Sequence, residues 1–229
     1  FNTAPVNDAG SITNMDDSNN LYAQRTTYLI DYDGHDTDGA TQVNYVLLNL
    51  TQDTTVRGCF KYLESTNGFS LESGSSAFEI ITGSCAYTKS GNNLNLTIAF
   101  KVKWGATEES ALELKAVIVD DASASDSDTM QTNYADVVKT LTVSGFASNP
   151  ATYVNPSSSI TFSGTVYYVN NPSSSTPSSF YPPDAEFTAV HIHNAAHSSQ
   201  GSDTSIVNGA FSLAVTSPAT VNSYTYHPY

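Results

Sequence analysis

Residues 94–104 set the fold class. Leu94, Leu96, Ile98, Phe100, Val102 and Trp104 alternate with Asn95, Thr97, Ala99, Lys101 and Lys103. Successive side chains of a strand point to opposite faces, so a period of two describes a strand with one buried face and one wet face. Shorter runs of strand-like composition recur at residues 26–33, 42–50, 56–63, 78–89, 111–119, 134–143, 159–169, 186–193, 209–216 and 221–226. Turn signals separate them: Asp38-Gly39, Asn67-Gly68, Ser90-Gly91-Asn92, Asn208-Gly209 and Ser217-Pro218. No long helical period competes with this pattern. Many short strands with frequent turns predict an all-β sandwich architecture.

A chain of 229 residues makes one large domain or two ordinary ones. The segment 145–150 (G-F-A-S-N-P) reads as a linker, which gives a first domain over 14–144 and a shorter second domain over 151–229. Residues 1–13 (F-N-T-A-P-V-N-D-A-G-S-I-T) precede the first well-patterned strand and read as an extended segment. The Ser/Pro tract at 171–183 has the composition of an exposed loop. The last residues, 221–229 (V-N-S-Y-T-Y-H-P-Y), place Tyr224 and Tyr226 on one face of a strand. A sandwich would be expected to continue there with a turn and a closing strand, so this ending reads as an edge in want of a partner.

The stretch 28–50, with Asp36-Thr37-Asp38-Gly39 at its turn, resembles the B strand, turn and C strand of immunoglobulin-like modules from secreted prokaryotic surface proteins. Residues 94–104 followed by 111–121 resemble their E and F strands. I-T-F-S-G-T-V-Y-Y at 160–168 and G-A-F-S-L at 209–213 resemble a second module of the same kind. The resemblance implies two tandem immunoglobulin-like β-sandwich domains and an extracellular setting. The antibody-type Cys–Trp–Cys order is not matched, because Trp104 follows both cysteines.

Eight Lys and Arg against 22 Asp and Glu give a formal charge of −14. That excludes nucleic acid and anionic membrane surfaces as expected partners, since both require clustered cations. No apolar run is long enough to span a membrane. The chain begins at Phe1, as a secreted protein does after removal of a leader. In that setting Cys59 and Cys85, both in strand-like segments with no metal-binding spacing, are expected to form a disulfide.

Two acidic clusters stand out. Asp31, Asp33, Asp36 and Asp38 lie in D-Y-D-G-H-D-T-D-G, and Asp120, Asp121, Asp126 and Asp128 follow the expected F strand. In an immunoglobulin topology the B–C and F–G loops share one end. Asp36, Asp38, Asp120, Asp121, Asp126 and Asp128 are therefore candidate ligands of a Ca²⁺ ion, which takes carboxylate and carbonyl oxygens. The alternative is that aspartate serves its ordinary turn chemistry. His191, His193 and His197 lack an evident fourth ligand and read as a solvated strand face. No G-x-S-x-G elbow or positioned carboxylate pair is evident, so no enzyme is expected. Asn49-Leu50-Thr51 and Asn95-Leu96-Thr97 are N-glycan acceptor sequences, which makes Asn49 and Asn95 candidate sites for covalent glycans.

These features lead to an expected structural subunit of an extracellular filament or surface layer, with copies of itself as partners. Residues 1–13, with Phe1, Ala4 and Val6 as apolar anchors, would be donated as a strand beside Tyr224 and Tyr226 of a neighbour. The competing expectations are a secreted carbohydrate-binding or adhesive module with an exposed aromatic row in the second domain, where Tyr167, Tyr168, Phe180, Tyr181, Tyr224, Tyr226 and Tyr229 concentrate, and an immunoglobulin-like spacer from a longer surface protein.

Overall fold

The computed structural model describes residues 2–15, 19–151, 154–169, 182–186, 189–219 and 225–228. The chain divides into two units, Phe1–Lys139 and Thr140–Tyr229. Both are built of strands, and the helical pieces described are three-residue turns.

Unit 1 carries β1 (Val6–Thr13), β2 (Asn20–Tyr22), β3 (Tyr28–His35), β4 (Val43–Gln52), β5 (Thr55–Leu63), β6 (Gly68–Ser73), β7 (Phe78–Ile80), β8 (Ala86–Ser90), β9 (Asn93–Val102), β10 (Glu109–Asp120) and β11 (Ser125–Val138). One sheet has the order β1-β3-β9-β7, with β8 pairing the same strand, β9, further along. The other has the order β2-β11-β10-β4-β5-β6. The alternation read from the sequence determines what each strand buries. Leu94, Leu96, Ile98, Phe100 and Val102 of β9 face Leu48, Phe60, Tyr62, Leu112, Leu114 and Ile118 of the opposite sheet in one core. Phe60 and Phe100 meet across it with ring centroids 5.1 Å apart, and Phe78 packs edge-on to both. Burying one such ring contributes about 2–3 kcal/mol, with roughly 0.5–1.5 kcal/mol more for a well-placed aromatic pair.

This strand order is that of a variable-type immunoglobulin sandwich, A-B-E-D against A′-G-F-C-C′-C″. The stretches expected as B, C, E and F occupy those positions as β3, β4, β9 and β10. The run expected as one strand at 78–89 is two strands, β7 and β8, with a turn over Thr82–Ser84 between them.

Unit 2 carries β12 (Leu141–Asn149), β13 (Ser159–Tyr168), β14 (Val190–Asn194), β15 (Ser199–Asp203), β16 (Ala210–Thr216) and β17 (Tyr226–Pro228). Two three-stranded sheets, β12-β13-β16 and β15-β14-β17, enclose Ile160, Phe162, Val166, Val190, Ile192, Ile206, Phe211 and Val215. Read in immunoglobulin terms, these strands are A-B-E and C′-C-F.

Three expectations of organisation are corrected here. The unit boundary falls after Lys139, not at 145–150. The expected linker lies largely within β12: Gly145 adopts φ +60° and the register with β13 slips between Ser144 and Ala147, so the glycine marks a bulge, not a break. Residues 6–13 are not a free extended arm. They are β1, paired antiparallel with β3 from Val6↔His35 to Thr13↔Leu29. The final strand also has a partner, since Tyr226, His227 and Pro228 of β17 pair with Asn194, His193 and Ile192 of β14.

Candidate functional site

Two places depart from a closed, uniform sandwich: one edge of unit 2 and one end of unit 1. The edge of unit 2 follows from its strand count. β12 borders one sheet and β17 borders the other, and no described strand lies beyond either. Between them is a cavity of about 620 Å³ lined by Leu141, Thr142 and Val143 of β12, Val166 of β13, Ala189 and Val190 at the start of β14, and Pro228 of β17. In the immunoglobulin order this is where the G strand lies, beside F and near A. Leu141 is 38% exposed, unusual for a leucine in a strand beside a core. The cavity wall is mainly apolar, and β12 and β17 are the outermost described strands beside it.

The assembly residues fall unevenly around this place. Tyr226 packs on Phe162 with ring centroids 4.9 Å apart, on the core side of β17. Ala4 is exposed and Val6 is 39% exposed in unit 1. Phe1 and Tyr224 lie outside the described residues.

The outer edge of β1 is sealed by side chains of β11. The Asn7 N–H donates to Asp126 Oδ2 at 2.8 Å, and the Ile12 N–H donates to Gln131 Oε1 at 2.8 Å. The Asn7 side chain adds a second donor to Asp126 and accepts from the buried Tyr32 hydroxyl at 2.8 Å. These donors, the Asn7 backbone N–H foremost, hold the Asp126 carboxyl below the usual carboxylate range. Its neighbour Asp128 is pushed up by the Asp126 charge. Burial, with the Asp8 charge next, raises the Tyr32 hydroxyl far above its ordinary value. On the far side of β1, His35 Nδ1 lies 2.8 Å from Asp8 Oδ2.

The six aspartates expected around calcium are not gathered into one site. Asp126 and Asp128 serve the β1–β11 seam, and Asp121 is exposed in a turn. Asp36 and Asp120 are fully buried at the end of the sandwich where β3 leads into the loop before β4. Asp38 is exposed beside them and accepts the Thr3 N–H at 2.7 Å. Among the described residues no three His, Cys, Asp or Glu side chains converge as a metal cluster.

The expected disulfide is absent. Cys59 and Cys85 are free thiols. On β5 the inward positions are Gly58, Phe60 and Tyr62, so Cys59 points to the outer face of the six-stranded sheet. Cys85 lies between β7 and β8, at the end of the Thr82–Ser84 turn beside the other sheet, where its Sγ accepts the Ala99 N–H at 3.3 Å. Burial pushes both thiols up from their ordinary value. Of the glycan acceptors, Asn95 is exposed on β9, whereas Asn49 is half-buried in mid-strand between Cys59 and Lys115. His191 and His193 share one face of β14, ring centroids 6.1 Å apart.

No protein-family model and no curated protein sequence matches this chain. Among solved structures it is similar to dimeric latent PorU from Porphyromonas gingivalis, at 11% identity and TM-score 0.31, over 98% of this chain and 18% of that one. It is also similar to BcpA, the major pilin subunit of Bacillus cereus, at 12% identity and TM-score 0.27, over 97% of this chain and 59% of that one. The chain thus spans less than two thirds of either neighbour. At these scores neither likeness bears on function, and the strand order and the geometry above have to carry it.

Proposed function

We propose that this chain is a structural subunit of an extracellular filament or surface layer, assembled head-to-tail by addition of a strand to unit 2. The observation that supports this reading is the apolar cavity at the G position, flanked by the edges of β12 and β17. An extended segment entering it would run along β12 and bury side chains on alternate positions in the apolar cavity, the mode of strand addition. A head-to-tail contact that does not close into a ring propagates as a fibre. The reading assigns no catalytic role.

The donor in this proposal is residues 1–13 of a neighbouring copy. Because residues 6–13 already form β1, donation is an exchange: the strand leaves β3 and its side-chain seal on β11 and enters the neighbour. The carbohydrate-binding alternative has less support. Tyr87 is the one exposed aromatic among the described residues, and Phe180, Tyr181, Tyr224 and Tyr229 lie outside them.

Electron microscopy of the secreted full chain is the test, beside a version lacking residues 1–13 and a Val143→Glu variant that puts a charge in the cavity wall. Fibres from the parent, lost in both variants while unit 1 stays folded, are expected. Dispersed monomers from the parent at every concentration would sink the proposal. Fibres that survive Val143→Glu would move the contact elsewhere.

A further inference from the structure

The interior of unit 1 ends in two carboxylates. The inward-facing positions of β3 are Tyr28, Ile30, Tyr32 and Gly34, and the next in step is Asp36. Those of β10 are Leu112, Leu114, Ala116 and Ile118, and the next is Asp120. Asp36 and Asp120 are both 0% exposed. They share one end of the sandwich: Asp120 pairs with Val43, where the loop after Asp36 enters β4, and the Asp121 N–H donates to Gln42 O at 2.8 Å. The chain start straps the same end, with Asn2 Nδ2 donating to Asp120 Oδ2 and the Thr3 N–H donating to Asp38 Oδ2, both at 2.7 Å.

The two carboxylates are not equally satisfied. Asp120 Oδ1 accepts the Ala124 N–H at 2.7 Å, and Oδ2 accepts Asn2. Asp36 Oδ1 accepts the Asp38 N–H at 2.8 Å. Asp36 Oδ2 is buried with no hydrogen-bond partner. A carboxylate oxygen shut away from water with no donor is strongly disfavoured unless it is neutralised by a proton or faced by a cation. Each carboxylate oxygen carries two lone pairs, so those of Asp120 keep acceptor capacity beyond their present donors.

We propose that this end of unit 1 binds a calcium ion through Asp36 and Asp120, with backbone carbonyl oxygens and water completing its shell. Two carboxylates plus neutral oxygens in an irregular loop setting suit calcium, which takes six to eight oxygens flexibly. They suit magnesium less, since it demands near-octahedral geometry and gives up its water reluctantly. The inference does not depend on strand donation.

The test is thermal unfolding of the metal-stripped full chain in chelator, in calcium and in an equal concentration of magnesium. Calcium is expected to raise the unit 1 transition by roughly 5 °C or more at saturation, with magnesium well below that. Asp36→Asn should abolish the calcium rise, and in chelator it should melt no lower than the parent because the unpaired charge is gone. Asp126→Asn, in the other acidic group, should keep the rise and so control for the overall charge of −14. If Asp36→Asn fails to fold, Asp120→Asn examined by calcium calorimetry replaces it, and loss of the binding heat is expected. Equal melting of the parent in chelator and calcium overturns the proposal. So does an equal rise with magnesium, or a rise that survives loss of the carboxylate.

Discussion

Cys85 shows how one side chain can repair a gap in a sheet. Between β7 and β8 the chain turns away from β9, and the Ala99 N–H would have no strand partner there. The Cys85 sulfur takes that bond at 3.3 Å, and Ile81 N–H donates to Ala99 O at 2.8 Å. Cys85→Ala should cost about 1–2 kcal/mol, from a backbone donor left without its acceptor and a small void. Urea unfolding measures it. Cys59→Ala, on the outer face, should cost less. Without reductant, thiol titration of the unfolded chain should count two free sulfhydryls, whereas a count of zero would restore the disulfide. The native thiols should label slowly, because burial keeps them protonated. Gly58 makes the complementary point: a Cβ there would meet Phe78 Cδ2 at 2.7 Å, so the absence of a side chain lets that ring reach the core.

Among the elements, β1 has the most conditional hold. It is hydrogen-bonded as a strand on one side only, and its other edge rests on Asp126 and Gln131. The lowered Asp126 carboxyl stabilises the native state fully above the ordinary carboxylate value, about 4, and this contribution is lost as pH falls through the lowered value. The raised Asp128 acts in the opposite sense: it favours the native state below that ordinary value and ceases to do so as pH rises through its own raised value. Asp126→Asn should therefore cost about 1 kcal/mol near pH 6 and flatten the acid limb of the stability curve below pH 4, while Asp128→Asn should be neutral or stabilising near pH 6. Urea midpoints across pH check both, and an unchanged acid limb in Asp126→Asn would remove this carboxylate from the account. None of this seam was readable in advance. Residues 125–133 (S-D-S-D-T-M-Q-T-N) show no apolar alternation, because their role is to cap a neighbouring edge with polar groups. They read as an acidic cluster and proved to be the first part of β11. β12 was obscured differently, by a glycine whose bulge resembles a linker.

At the scale of the whole chain, the strands that bury a face toward both sheets were legible. The period-two runs that became β3, β4, β9 and β10 fixed the B, C, E and F positions and with them the all-β sandwich. The two acidic clusters were only half legible: loop topology brought Asp36 and Asp120 to one end, but spacing could not show that Asp126 turns to β1. The cavity beside β17 was not legible, since its lining residues on β12, Leu141, Thr142 and Val143, had been read as the end of a strand of the first domain.

The parallel pairing of β2 with β11 has a mechanical consequence. Asn20, Leu21 and Tyr22 lie beside Asp136, Val137 and Val138, reinforced by the Ala23 N–H to Val138 O at 2.9 Å and the Asp136 N–H to Asn19 O at 2.7 Å. β1 enters unit 1 at the end where Thr3 meets Asp38, and β11 leaves at the opposite end. Tension applied through Asn2 and Lys139 therefore slides these strands lengthwise and loads their hydrogen bonds together, instead of unzipping them one at a time. In unit 2, β12 and β17 belong to different sheets, and no such pairing joins them among the described residues. Single-molecule stretching of the chain should rupture unit 2 first and unit 1 at the higher force. The reverse order would mean that the β2–β11 bonds do not bear the load.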